Sequence, residues 1–187
     1  MIDKVEHSAY QLMKAGDYEG DVRLLQSIEN IDSEYALLTL GWIYHFGKYG
    51  AKNSELAAFY YRKASDLGCG AGAFELGRLL YEKGDFIEAR QAFAKGTESG
   101  SIQCIAWHGL MMAKGKGGTI NLEEGISSLK IAASQGQLVA KMALYEIELE
   151  STHSLPRRFV IYCKIIFLAF ITIIESLRNP WSERAYR

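Results

Sequence analysis

The side chains able to catalyse or to ligate are few and scattered. Gly68-Cys69-Gly70-Ala71-Gly72-Ala73 satisfies a loose form of the glycine pattern that lets a backbone approach a pyrophosphate, but no strand-like run precedes it. Gly115-Lys116-Gly117-Gly118 lacks the spacing of a phosphate loop and reads as a flexible connector. Cys69, Cys104 and Cys163 are odd in number and match no metal-ligand spacing. Cys104 shares a small-residue site with Ala36, Gly72 and Ala140, which predicts a buried structural thiol rather than a nucleophile. His7, His45, His108 and His153 form no cluster of ligands, and neither a zinc helix motif nor a paired CxxC occurs. The expectation is a protein that is not an enzyme and holds no metal or cofactor.

Such a chain must act through its surface, so the elements that shape that surface come next. The 187 residues are 49% apolar and 23% charged, the balance of a folded chain, and the net charge of -1 offers no basic field to nucleic acid. Pro156 and Pro180 are the only prolines, so the first 155 residues are free to be helical. Met1 to His7 has no apolar run, from which no secretory signal and a reducing compartment are expected.

Glycines mark an internal repeat. Gly41 and Gly77 lie 36 positions apart, and Gly77 and Gly109 lie 32 apart. The difference falls in one loop: Gly47 to Lys52 in one copy, Gly84-Asp85 in the next, Gly115 to Ile120 in the third. Gly16-Asp17-Tyr18 extends the register to the N-terminus, as Gly84-Asp85-Phe86 does before Gly109. In the second helix of each copy large residues recur at Leu25, Tyr61, Phe93 and Leu129. Small ones recur four before (Ala57, Ala89, Gly125) and three after (Ala64, Gly96, Ala132). Those spacings share one helix face, where small residues admit a neighbouring helix and the large one fills the gap beside it. The first copy departs, with Asp21 and Ile28 at the small sites. Asp85 with Glu88 and Asn121 with Glu124 predict capping boxes. Gly68, Gly100 and Gly136 stand where a left-handed cap is needed. The pattern predicts helix pairs over 3–15 and 18–29, 33–46 and 53–67, 70–83 and 85–99, and 102–114 and 121–135, with a further helix over 137–151.

The run Leu40-Gly41-Trp42-Ile43-Tyr44 with Gly47 and Gly50, followed by Ala57, Tyr60-Tyr61-Arg62-Lys63-Ala64 and Gly68, resembles a Sel-one-like repeat (SLR), a relative of the tetratricopeptide repeat. The copy over 70–100 is closer to a tetratricopeptide unit. Met112 and His108 stand where the family carries Tyr and Leu, and Tyr145 occupies the last glycine site. The resemblance covers roughly residues 1–150. It implies an all-α, right-handed superhelical solenoid of antiparallel helix pairs, whose concave face, lined by first helices, binds partner proteins or peptides. Carrying the tetratricopeptide groove onto this chain implies Tyr10, Met13, Tyr35, Leu38, Trp42, His45, Phe74, Arg78, Tyr81, Gln103 and Leu110 as contacts. Trp, Tyr and Arg dominate binding hot spots because they bury much area and keep a polar handle.

After the array, expected over 1–151, residues 152–158 read as a linker and 159–178 as a hydrophobic helix. Phe159 to Leu177 would span roughly 28 Å as a helix, near the hydrocarbon thickness of a bilayer. Arg157 and Arg158 suit one interface, and Trp181 and Arg184 the other. The expectation favoured is a membrane anchor through Phe159, Ile165, Phe167, Leu168, Phe170, Ile173, Ile174 and Trp181, with the repeats cytoplasmic and partners that include membrane proteins. The alternative is a soluble protein whose tail is a cap or a dimer contact. In that case Arg157, Lys164, Glu175, Thr172 and Arg178 form a polar stripe facing water while the rest covers the end of the array.

Overall fold

The computed structural model describes residues 2–27 and 32–178. Within them the chain forms ten α-helices: α1 (Ile2–Ala15), α2 (Tyr18–Gln26), α3 (Glu34–Phe46), α4 (Ser54–Asp66), α5 (Gly70–Lys83), α6 (Phe86–Glu98), α7 (Ile102–Lys114), α8 (Leu122–Ser134), α9 (Leu138–Ser151) and α10 (Leu155–Arg178). Ends agree with the sequence expectation to within a residue through α9, except that α2 closes at Gln26. Ile28 lies outside the described residues.

Helix starts follow from side-chain oxygens that accept otherwise unpaired backbone N–H groups. The Ser33 hydroxyl accepts from the Ala36 N–H at 3.1 Å, and Asn53 Oδ1 from the Leu56 N–H at 3.0 Å. Asn121 Oδ1 accepts from the Glu124 N–H at 3.2 Å, while its amide nitrogen donates to the Glu124 carboxylate at 2.6 Å. The expected box at Asp85 does not form. Its side chain makes no cap hydrogen bond, and α6 starts with the Asp85 carbonyl accepting from the Ala89 N–H at 2.9 Å. First helices stop at Gly47, Gly84 and Gly115 with φ of 63°, 89° and 66°, and Gly68, Gly100 and Gly136 are left-handed after the second helices. α10 begins at Leu155 rather than 159, because Pro156 is tolerated in a first helical turn.

Two compact units result, residues 1–99 and 100–187. In the first, α1 to α6 pack as three helix pairs, and α4 lies against both α3 and α5. The repeated large residues Leu25, Tyr61 and Phe93 are buried, as are Ala57, Ala64, Ala89 and Gly96 beside them. A Cβ on Gly77 would stand 2.6 Å from Phe93 Cε1, so the bare glycine is what admits the ring. In the second unit α7 pairs with α8, α9 packs on both, and α10 packs on α9. Leu129, Ala106, Ala132, Ala140 and Ala143 form its core.

Candidate protein-binding surface

In the N-terminal unit α3 carries most of the residues expected to bind. Its inward face, Leu37, Leu40 and Ile43, is fully buried. Tyr35, Leu38 and Trp42 flank that core and are half-buried. Trp42 is the hub of an aromatic cluster. Its ring lies 6.0 Å from Tyr18 of α2 and 5.6 Å from Phe46, and Lys48 Nζ sits 5.7 Å from its centroid. Phe46 is 50% exposed and Tyr10 of α1 is 45% exposed. Met13 is half-buried. Tyr18, Phe46 and Lys48 were not among the expected contacts. Phe46 could have been found from its position four residues after Trp42, which puts both on one helix face.

Two expected contacts are committed elsewhere. His45 is 4% exposed, packed with its ring 4.6 Å from Phe46 and 6.5 Å from Tyr61, so it is a core residue. Burial first, and the Arg78 cation second, hold its pKa below the ordinary histidine value, leaving it neutral at neutral pH. Arg78 of α5 is clasped by two carboxylates of its own helix. Its Nη2 donates to Glu75 at 2.9 Å and its Nη1 to Glu82 at 2.6 Å. Burial raises the Glu75 pKa although Arg78 opposes it. A guanidinium held this way builds the fold rather than waiting for a ligand. Phe74 and Tyr81 are half-buried, with Phe74 6.3 Å from Phe93 and Tyr81 5.1 Å from Phe86. In the second unit Gln103 sits beside Ser101 at 3.4 Å, and Leu110 packs on the core of that unit. Both are half-buried.

Groups capable of reaction are buried or dispersed. Burial pushes the Cys104 thiol up to about 11 and raises Cys69, so both remain protonated and poorly nucleophilic. Among the described residues no three His, Cys, Asp or Glu side chains converge as a metal site.

The C-terminal helix departs from the membrane expectation. Among the described residues no helix is long and apolar enough to cross a membrane. α10 lies along α9, with Ile161 and Leu168 buried and Ile165 half-buried. Phe159, Phe167, Phe170 and Ile174 point outward. The Ile173 side chain and all of Trp181 lie outside what the structure describes. Of the polar stripe that the soluble alternative placed in water, Arg157 and Lys164 are exposed, with Arg157 donating to Glu148 of α9 at 2.8 Å and Lys164 Nζ 5.5 Å from the Tyr145 ring.

Ten helices in tandem pairs, a glycine-gated core and an aromatic surface on a first helix define an all-helical repeat protein. A Sel1 repeat protein from Oxalobacter formigenes has the same fold. Its TM-score is 0.68 at 22% identity, covering 87% of this chain and 69% of that one. A protective antigen of uropathogenic Escherichia coli displaying an SLR fold matches with a TM-score of 0.60 at 23% identity, over 69% of this chain and 28% of that one. No family model matches the sequence, and no curated protein matches it. The chain has the fold of the Sel1-like, tetratricopeptide-like helical repeats.

Proposed function

We propose that the protein is a non-enzymatic scaffold that docks a partner protein or peptide on the first-helix face of its N-terminal unit. The observation that carries this reading is the Trp42–Phe46 pair. Phe46 is half exposed and Trp42 half-buried, with Tyr18 and the Lys48 cation against the indole. Rigid aromatic side chains beside a cation supply large contact area at small entropic cost, which is how hot spots work. Tyr10, Tyr35, Leu38 and Met13 extend the surface, and Phe74 and Tyr81 enlarge it from α5. Sel1-like folds in the matched structures, and the binding role that the repeat resemblance implies, support the same reading. It includes no membrane tether, since no described helix can cross a bilayer.

Peptides selected from a random library on the folded protein provide the test. The variant carrying Trp42→Ala and Phe46→Ala loses at least about 10-fold in affinity for them, a cost of about 1.4 kcal/mol or more, with an unchanged circular dichroism spectrum. Equal binding by a folded double variant places the docking surface elsewhere.

A further inference from the structure

α10 buries Ile161 and Leu168 against its own protein and leaves a broader apolar face outside. The stripe Arg157, Ile161, Lys164 and Leu168 recurs at steps of four, three and four along the edge that meets α9. Arg157 is spent on Glu148 and Lys164 on Tyr145. Opposite them stand Phe159 (69% exposed), Ile166 (68%), Phe167 (65%), Phe170 (58%) and Val160 (51%), with Tyr162 and Ile174 also exposed. Among the described side chains no charged residue interrupts this face.

Fully exposed side chains of this size offer roughly 200 Å² each, so the outward residues leave on the order of 800 Å² of apolar surface. That exceeds the few hundred Å² a monomer usually shows and equals what one partner contributes to a standard interface, about 800 Å². The spacing is specific as well. Phe159, Cys163, Ile166 and Phe170 step by four, three and four, and in sequence the same steps continue to Ile173 and Leu177. A repeat of 3.5 residues is what keeps one helix seamed against another, and a lipid surface does not require it.

We propose that this face pairs with α10 of a second copy in an antiparallel, two-fold symmetric contact. About an axis between Ile166 and Phe167, small Cys163 falls opposite Phe170, and Phe159 falls opposite Ile174. Large side chains therefore meet small or aliphatic ones twice over, as a self-complementary interface requires. A face without charge meets no repulsion from its own copy. Cys163 is exposed while Cys69 and Cys104 are buried, so it is a ready reporter of the seam. The inference is independent of the docking surface on α3.

Light scattering on the full chain in detergent-free buffer is expected to give twice the chain mass. The variant carrying Ile166→Glu and Phe170→Glu is expected to give the single-chain mass with its helical spectrum kept. With copper phenanthroline, Phe170→Cys is expected to cross-link two chains through Cys163, and the natural sequence not to. Cross-linking of the natural sequence through Cys163 overturns the antiparallel register. A full chain that is monomeric overturns the dimer. So does one that floats with vesicles of phosphatidylethanolamine and phosphatidylglycerol in a manner abolished by Ile166→Glu and Phe170→Glu, in which case the face belongs to lipid.

Discussion

Asp21 occupies the site that Ala57, Ala89 and Gly125 hold in later copies, and it is fully buried with neither carboxylate oxygen hydrogen-bonded. Burial, aided by Asp17, raises its pKa to about 6. A carboxyl whose folded pKa lies above its unfolded value stabilises the fold fully below about pH 4, and that contribution is lost as pH rises through 6. Asp21→Ala, which restores the residue type of the other copies, is therefore expected to gain about 2–3 kcal/mol at pH 7.5 and progressively less toward pH 4. His45 has the opposite sign, since its lowered pKa contributes stability above the ordinary histidine range that is lost on acidification. Urea titrations of the natural protein and the variant, compared at each pH, cancel that contribution. A difference independent of pH would show that the carboxyl is not held protonated. The departure at Asp21 was visible in the sequence as a break in the repeat, but its burial was not. An acidic residue at an end repeat is ordinarily solvated, whereas this one is closed over in a helix that packs on both α1 and α3.

At the scale of helices, close approach is set by glycines. A Cβ on Gly125 of α8 would stand 2.7 Å from the Gly109 carbonyl oxygen and 2.8 Å from the Ala113 nitrogen, both backbone atoms of α7. Backbone cannot swing aside as a side chain can, so the two helices would have to part. Gly125→Ala is expected to destabilise by about 1–3 kcal/mol, despite the roughly 1 kcal/mol that alanine gains in helix propensity. A midpoint in thermal unfolding equal to or above that of the natural protein would contradict this contact. The site was legible as a small-residue position, Ala57 and Ala89 in the middle copies, four residues before the large residue of each second helix. Arg78 stood out as an arginine on a first helix. Its ion pairs could have been found from spacing, since Glu75 three residues before and Glu82 four residues after share its helix face.

Within each of the two units the helices pack chiefly on their neighbours in sequence, so a change at one helix is felt locally. Removing residues 155–187 uncovers the side of α9 on which Ile161 and Leu168 rest. Backbone amides of α9 are expected to exchange with deuterium faster in the shortened chain, while those of α3 to α5 keep their protection. Uniform loss of protection across all helices would mean that the array unfolds as one cooperative block. The shortened chain is also expected to be monomeric, since it lacks the face that pairs.

The amino-acid sequence by itself determined the helices, their caps and the repeated contact of small on large residues. Each of these is a local or periodic property, set by spacing along the chain and by which residues allow a left-handed turn. Tertiary structure decided what those residues are used for. It drew His45 into the core and buried Asp21. It also set which face of α10 met α9. A helix apolar over more than half its circumference can bury only the side that its neighbour covers. Ile161 and Leu168 therefore went inward, Arg157 and Lys164 stayed exposed beside Glu148 and Tyr145 of α9, and the broader apolar face was left outward.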